Sequence, residues 1–248
     1  MRYLVLSDIH SNLEALEAVL KAASAQKYDA VLVLGDLVGY GADPNAVVDR
    51  VRALKPAASV RGNHDKVAAG LDTADDFNPM AKAAANWTRE TLTPATLEYL
   101  RDLPMGPKIV DADIEVCHGS PLDEDLYVVA DLDAARSIAV ARRPLCLFGH
   151  THVALSARMD AQRRLDIETP DGHPEFPTPL EADVKYLINP GSVGQPRDGD
   201  ARAAYAIADM ERRVVTLYRV AYPIDVAQKK ILDAGLPPTL AYRLGMGR

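Results

Sequence analysis

The sequence predicts an α/β fold, a four-layer αββα sandwich in which two mixed sheets pack together and helices flank them. The first 65 residues alternate apolar strand-like runs with helical patterns, whereas short strands separated by turn residues follow one another after residue 152. Strands alternating with helices and then sequential strands are typical of packed sheets with helices outside. We expect a single domain over residues 1–248, with a helical insertion at 70–105.

The first part of the chain contains three strand signals and two helix signals. Ser11 and Glu14 have the spacing of a capping box, and leucines recur behind them at helical intervals. Pro44 follows Asp43, which places proline at the first position of a second helix. Continuous apolar runs are typical of strands buried on both faces. The strands are predicted at Arg2–Leu6, Ala30–Leu34 and Ala57–Val60.

The middle of the chain begins with the 70–105 insertion, a candidate cap over the site. Pro79 follows Asn78 and Pro94 follows Thr93, and both pairs are helix start signals. The next elements are predicted to be a hairpin over 108–118, a helix over Asp131–Arg142 and a buried strand over Leu145–Phe148.

After residue 152, turn residues separate short apolar runs, which indicates a β-meander. Pro170–Pro179 is predicted to be a loop, and helical patterns follow at Pro223–Ala234 and Leu240–Leu244. The meander strands are predicted at Val153–Ala157, Arg164–Glu168, Lys185–Ile188, Ala203–Ala208 and Val214–Val220.

Composition excludes some classes of function. The formal net charge is −7 and no block of lysines and arginines occurs. The sequence therefore lacks the basic surface that binding an extended nucleic acid requires. The sequence contains no signal-peptide pattern and no apolar run of the ~20 residues that a membrane span needs. Cys117 and Cys146 are expected to be buried strand thiols, with metal ligation or a disulfide as the alternative. We expect a cytoplasmic protein without a membrane partner, and a homo-oligomer is compatible with the sequence.

Five of the six histidines lie in short runs rich in Asp, Asn and Gly. Each run follows a strand-like segment, and ligands gather at the carboxyl ends of strands in open α/β sheets. Four imidazoles, two carboxylates and one amide therefore converge, an inventory that suits a two-metal hydrolase. The runs are Asp8-Ile9-His10, Gly35-Asp36, Gly62-Asn63-His64-Asp65, His118-Gly119 and Gly149-His150-Thr151-His152.

The spacing within the runs also favours metal binding. Asp8 and His10 are two residues apart, as are His150 and His152, so in an extended segment both members of a pair face the same side. Asp36 is the natural bridge, because one carboxylate can bind two cations. Mixed imidazole and carboxylate ligands suit Mn, Fe, Ni, Co or Zn rather than Mg or Ca. Bound cations would also supply the positive charge that a small phosphorylated substrate needs.

Together these runs closely resemble the signature of the calcineurin-like metallophosphoesterase family, which is D-x-H, G-D, G-N-H-D or -E, H and G-H-x-H in this order. The resemblance spans residues 1–220 and implies two bound divalent transition-metal ions, with manganese as the first candidate. A hydroxide between the ions would attack the phosphorus of a small phosphodiester or phosphomonoester. By resemblance, the first ion is held by Asp8, His10, Asp36 and His152, and the second by Asp36, Asn63, His118 and His150.

The resemblance also implies roles around the substrate. His64 would face the substrate together with Asn63, as an acid or a positive stabiliser of the leaving oxygen, and Asp65 would orient the His64 ring. Arg197 is a candidate for binding a substrate phosphate, with an ordinary salt bridge to Asp198 or Asp200 as the alternative.

One branch of the family fits the sequence best. Ser/Thr protein phosphatases carry an acidic residue and an arginine where this chain has Gly39 and Tyr40, which argues against protein phosphatase activity. The segment Asn189–Arg197 and the run His118-Gly119-Ser120-Pro121 resemble the small prokaryotic phosphodiesterases of the YfcE/MJ0936 type. The start of that segment, Asn189–Ser192, is either a plain turn or a source of backbone amides beside the metals.

Two other functions stay open from the sequence. One is a Vps29-like metal-binding scaffold for protein interactions, although no ligand position has been lost here. The other is hydrolysis of nucleoside polyphosphates or cyclic nucleotides. If the protein is an enzyme, the 70–105 insertion and the 121–130 loop are expected to set its substrate specificity.

Overall fold

The computed structural model describes residues 1–248 and contains two six-stranded sheets. In the first sheet the strand order is β3-β2-β1-β11-β12-β9. β1, β2 and β3 are parallel, whereas β11, β12 and β9 are antiparallel to their neighbours. The strands of this sheet are β1 (Arg2–Leu6), β2 (Ala30–Val33), β3 (Ala58–Ser59), β9 (Glu175–Pro179), β11 (Ala203–Asp209) and β12 (Val214–Val220).

The second sheet has the order β4-β5-β6-β10-β7-β8. Its central strands β5, β6 and β10 are parallel, β4 and β7 are antiparallel to them, and β8 is antiparallel to β7. Both sheets are therefore mixed, with a parallel group of three strands in each. The strands are β4 (Lys108–Ile109), β5 (Ile114–Val116), β6 (Leu145–Leu147), β7 (Leu155–Met159), β8 (Leu165–Glu168) and β10 (Lys185–Asn189).

Eight helices cover the outer faces of the two sheets. One apolar core lies between the sheets, where Val5 and Leu32 meet Ile114 and Leu147. Helix α6 covers the second sheet, and the other helices lie on the side of the first, so the predicted αββα sandwich is confirmed. The helices are α1 (Leu13–Ser24), α2 (Pro44–Leu54), α3 (Asn63–Ala69), α4 (Pro79–Thr91), α5 (Pro94–Arg101), α6 (Asp131–Val140), α7 (Ile224–Asp233) and α8 (Pro238–Leu244).

The start of α1 differs from the prediction. Asn12 rather than Ser11 is the N-cap, and its side chain accepts a hydrogen bond from the Ala15 amide at 3.1 Å. Ser11 has a φ of 53° because the chain turns sharply there, directly after the run Asp8-Ile9-His10. The sequence also gave no signal for α3, which begins inside the third run at Asn63.

The predicted meander is wrong in two respects. Its strands are divided between the sheets, with β7, β8 and β10 in one and β11 and β12 in the other. The Pro-rich segment predicted to be a loop contains β9 at the edge of the first sheet, paired with β12. Prolines are tolerated at an edge because one side of the strand needs no amide donors.

The 70–105 insertion contains α4 and α5, which pack against α2 and α3. Residues 72–77, which precede α4, line a cavity together with Asn63 and His150. None of the helices combines the length and the apolar character that crossing a membrane requires.

Candidate metal centre

The five runs that contain the predicted metal ligands, called the ligand runs below, meet at one end of the sandwich because they follow parallel strands. The runs after β1, β2 and β3 leave the first sheet at its carboxyl edge, and those after β5 and β6 leave the second sheet at the same end. The structure brings together all six predicted His and Asp ligands in two groups that share Asp36, and within each group the ligand atoms lie within 4.8 Å of one another.

The first group consists of Asp8, His10, Asp36 and His152, all fully buried. His10 Nε2 lies 3.5 Å from Asp36 Oδ2, and His152 Nε2 lies 3.4 Å from Asp8 Oδ1. The Nε2 atoms of His10 and His152 are only 3.0 Å apart.

The second group consists of Asp36, His118 and His150, with Asn63 beside them. His118 Nε2 lies 3.4 Å from Asp36 Oδ2, 3.1 Å from His150 Nδ1 and 3.3 Å from Asn63 Oδ1. The same Asp36 oxygen therefore faces both groups, which is the position that a bridging carboxylate requires.

Each of the four imidazoles holds one ring nitrogen against a backbone carbonyl and directs the other into the centre. His10 Nδ1 lies 3.0 Å from the Val38 oxygen, and His118 Nδ1 lies 2.7 Å from the Leu34 oxygen. His152 and His150 make the same kind of contact with Gln195 and Asp125, at 2.7 and 3.0 Å. Metal-binding histidines are usually fixed in this way, because the outer N–H selects the tautomer with an inward lone pair. Lone pairs facing each other at 3 Å repel, and a cation between them would remove the repulsion.

The protonation of the imidazoles also fits metal binding. Burial lowers the pKa of His10 and His152 far below the usual range, and burial together with His118 lowers the pKa of His150 to about 3. Burial opposes a proton on His118, but the Asp36 carboxylate outweighs it and raises the pKa of His118 to about 10. A cation between Asp36 and His118 would take the place of that proton.

The backbone of the ligand runs is held in an unusual conformation. Asp8, His10, Asp36, His150 and His152 all have φ between 50° and 67°. Left-handed backbone is costly for residues other than glycine, and it persists where the surroundings enforce it, as at functional sites.

Two glycines allow the ligand runs to approach each other closely. A Cβ atom on Gly62 would lie 2.0 Å from Asp36 Oδ1, and one on Gly149 would lie 2.8 Å from Asp8 Oδ2. No side chain fits at either position without displacing a ligand.

The segment Asn189–Gly194 supports the ligand runs from behind. Ser192 Oγ donates to the Asp8 carbonyl at 2.7 Å, and the Gly194 amide donates to the same oxygen at 3.0 Å. Asn189 Nδ2 donates to the Gly149 carbonyl at 2.8 Å. The segment is therefore more than a plain turn, because its polar groups hold the backbone of the ligand runs in position.

His64 lies beside the first group with its ring between two aromatic side chains. Its ring centroid is 4.4 Å from that of Tyr40 and 4.6 Å from that of Phe77, and its buried Nδ1 has no hydrogen-bond partner. Burial lowers the pKa of His64 to about 4.

The orienting contact expected between Asp65 and His64 is absent. The Asp65 carboxylate instead accepts hydrogen bonds from the amides of Leu37, Val38 and Gly62 at 2.9, 3.2 and 3.0 Å. Asp65 lies in the first turn of α3. Its carboxylate therefore links the backbone just after the second run, at Leu37 and Val38, to the backbone of the third run at Gly62.

Arg197 lies on the loop after β10 with its guanidinium 5.6 Å from the Tyr40 ring. Its backbone amide donates to the His152 carbonyl at 3.1 Å, which ties this loop to the first group. The alternative of a salt bridge is excluded in this structure, because Asp198 pairs with Arg219 and Asp200 pairs with Arg202.

A cavity of about 290 Å³ opens beside the second group. Asn63 and His150 form its inner wall, residues 72–77 form a second side, and Asp125 and Tyr127 form a third. The Tyr127 ring stacks against His150 with 3.7 Å between centroids. The sequence predicted that these two segments set the specificity. It carried no signal for Phe77 or Tyr127, since a lone aromatic residue in a loop has no positional pattern.

Comparison with known proteins gives the family. The model of the calcineurin-like phosphoesterase superfamily domain matches residues 1–213 of this chain. The chain therefore belongs to the calcineurin-like phosphoesterase superfamily, and its cluster of Asp and His residues is a candidate site for divalent metal.

Individual relatives match along the whole chain. The uncharacterized protein MJ0912 of Methanocaldococcus jannaschii is 36% identical, with 98% of this chain and 97% of that protein covered. A metallophosphoesterase from Sphaerobacter thermophilus has a crystal structure that is 42% identical, with a TM-score of 0.88 and coverage of 100% and 99%. The hypothetical protein PH1004 from Pyrococcus horikoshii shares the fold, with a TM-score of 0.78, 23% identity and coverage of 100% and 98%.

Proposed function

We propose that this protein is a dinuclear metal-dependent phosphoesterase that hydrolyses small phosphodiesters or phosphomonoesters. The observation that carries the proposal is the set of four imidazoles, each with one nitrogen fixed by a carbonyl and the other within one of two ligand groups that share the Asp36 carboxylate.

The residues present fit two cations. One would be held by Asp8, His10, Asp36 and His152, and the other by Asp36, Asn63, His118 and His150. When bound, such a pair would acidify a water molecule and neutralise charge on the phosphoryl oxygens. Manganese is the first candidate, followed by Fe, Ni, Co and Zn, because imidazole-rich sites favour these ions.

The chain's own residues would position the substrate around this centre. Arg197 offers donors to a phosphoryl oxygen from the side of the first group. His64 faces the same space from between Tyr40 and Phe77, where its ring would donate a proton or a hydrogen bond to the leaving oxygen. Asp65 acts as a positioning residue through the three amides that it binds.

The cavity beside the second group supports a small substrate. Its volume of about 290 Å³ is at the lower end of the range of small-molecule sites, and aromatic and acidic side chains line it. We also propose that residues 1–248 work as one domain, since both sheets contribute ligands. A cytoplasmic location is supported by the two buried cysteines, which are free thiols with their sulfur atoms 3.7 Å apart.

The proposal is tested by assaying bis-p-nitrophenyl phosphate and p-nitrophenyl phosphate with the metal-depleted protein and after addition of Mn, Ni, Co, Zn or Mg. We expect turnover that depends on the added ion and is greatest with Mn. His10→Ala should abolish it, whereas His173→Ala, which changes an exposed histidine, should have no effect. Bound metal without turnover of any phosphoester would contradict the proposal and favour a metal-binding scaffold.

A further inference from the structure

Lys66 is a charged side chain that is buried beside the second group of ligands. It lies on α3 three residues after Asn63, so the two side chains share one side of the helix. Only 7% of the Lys66 side chain is exposed. A buried ammonium group is costly unless carboxylates pair with it, so the partners of Lys66 indicate what the residue does.

Three carboxylates surround the Lys66 ammonium group. Its Nζ lies 2.5 Å from Asp125 Oδ2, 3.2 Å from Glu124 Oε1 and 3.6 Å from Asp72 Oδ2. Burial opposes the charge, but Asp125 and Glu124 outweigh it and raise the pKa of Lys66, so the group is charged at neutral pH. Lys66 therefore ties two walls of the cavity, the 121–130 loop and the start of the 70–105 insertion, to α3.

The 121–130 loop contacts the ligand His150 at two points. The Asp125 carbonyl lies 3.0 Å from His150 Nε2, and the Tyr127 ring stacks on the imidazole. The carbonyl accepts a hydrogen bond only from the tautomer that leaves Nδ1 unprotonated, and Nδ1 lies inside the second group, 3.1 Å from His118 Nε2. The position of this loop therefore decides which nitrogen of His150 is offered to a cation.

Lys66 is the ionic restraint on the part of the loop that contacts His150. Arg61 pairs with Glu124 through two hydrogen bonds of 3.1 and 2.8 Å, so Glu124 retains a cation in the absence of Lys66. Asp125 forms its ion pair within 4 Å with Lys66 alone, and 45% of its side chain is exposed. Loss of the Lys66 charge would therefore release Asp125 first.

We propose that Lys66 is a positioning residue for the second metal ion, acting through Asp125 on the orientation of His150. This inference deepens the proposed function and rests on it, because it requires a cation at the second group. The Lys66 ammonium is occupied by carboxylates, so the residue acts on the ion only through the ligand. Loss of such supporting contacts weakens metal binding, because the ligand must then be ordered when the ion binds.

The test is calorimetric titration of the metal-depleted protein with Mn. We expect two binding events in the wild type, and His150→Ala identifies the event that belongs to the second group. Lys66→Met, which nearly keeps the length of the side chain without its charge, should weaken that event about ten- to a hundredfold and leave the other unchanged. Lys82→Met is the control, because it removes a lysine from an exposed ion pair with Asp75.

The hydrogen bond from His150 provides a readout that a merely structural role would not change. In the zinc-loaded protein, the Nε2–H proton of His150 should give an NMR signal that is protected from solvent exchange, because the Asp125 carbonyl accepts it. Lys66→Met should lose that signal, whereas the Nδ1–H signal of His10, which the Val38 carbonyl accepts, should remain. If Lys66→Met does not fold, Asp125→Asn, which keeps the carbonyl and the shape of the side chain, should show the same changes.

Other results overturn the inference. Unchanged binding at the second group in either variant would mean that the ion pair does not position His150, and equal weakening of both ions would mean that Lys66 supports the fold as a whole. A wild-type protein that binds a single Mn would remove the basis of this inference and of the dinuclear function together. If the wild type binds two ions but hydrolyses no phosphoester, the proposed function fails, and the metal titration alone decides the role of Lys66.

Discussion

The two groups of ligands share Asp36 but differ in their surroundings. The first group lies beneath Tyr40, His64 and Arg197, and all four of its ligands are buried. The second group includes Asn63, which is half-buried, and its His150 lines the cavity. The second group also has an amide where the first has a carboxylate, and a neutral amide is the weaker ligand.

We therefore expect the two groups to differ in function. The buried first group would retain its ion more firmly, whereas the second group would face the space where a substrate enters. The charged side chains around the two groups also differ. Arg197 borders the first group, whereas Asp72, Asp76 and Asp125 line the cavity beside the second, where Lys66 pairs with Asp72 and Asp125.

The largest effect is expected from breaking the link between the groups. Asp36→Asn should lower turnover roughly 10⁴-fold or more, because a neutral amide cannot bridge two cations. Steady-state assays with manganese and metal analysis of the purified variant measure this. Asp49→Asn, at an exposed position in α2, is the control. If Asp36→Asn kept the wild-type rate, Asp36 could not be the bridge.

A change beside the first group should separate chemistry from metal binding. His64→Ala is expected to keep its metal content and to lose a factor of roughly 10²–10⁴ in kcat, the usual contribution of proton transfer. His173→Ala provides the matched control at an exposed histidine. Loss of metal from His64→Ala would make His64 a ligand instead.

The unequal depth of the groups predicts unequal metal retention. His150→Ala should reduce bound manganese from about two ions to about one per chain, because only Asp36, His118 and the weak ligand Asn63 remain at the second group. Elemental analysis after dialysis gives the stoichiometry. Loss of both ions, or retention of both, would show that the groups do not differ in this way.

The smallest effect is expected at the rim of the second group. Tyr127→Ala should raise KM for bis-p-nitrophenyl phosphate about three- to tenfold, the contribution of one aromatic contact, with little change in kcat. Methyl p-nitrophenyl phosphate, which lacks the second ring, should show a smaller change in KM. Equal changes for both substrates would place the aromatic part of the substrate elsewhere.

Much of the fold could be predicted because its signals are local. The strand over Arg2–Leu6 and the helix beginning at Pro44 are observed as predicted. Edge strand β9 was missed because its prolines are typical of loops, and only its pairing with β12 makes it a strand. The meander was wrong because local patterns do not say which sheet a strand joins.

For the candidate site, the sequence by itself determined which imidazoles and carboxylates come together, because they follow strands whose carboxyl ends meet at one edge. Only the tertiary structure decided what surrounds them. It turned Asp65 away from His64 toward three amides, and it brought Phe77 and Tyr127 to the rim. It also brought the amide of Arg197 to the His152 carbonyl, since contacts between residues far apart in sequence depend on packing, which leaves no local pattern.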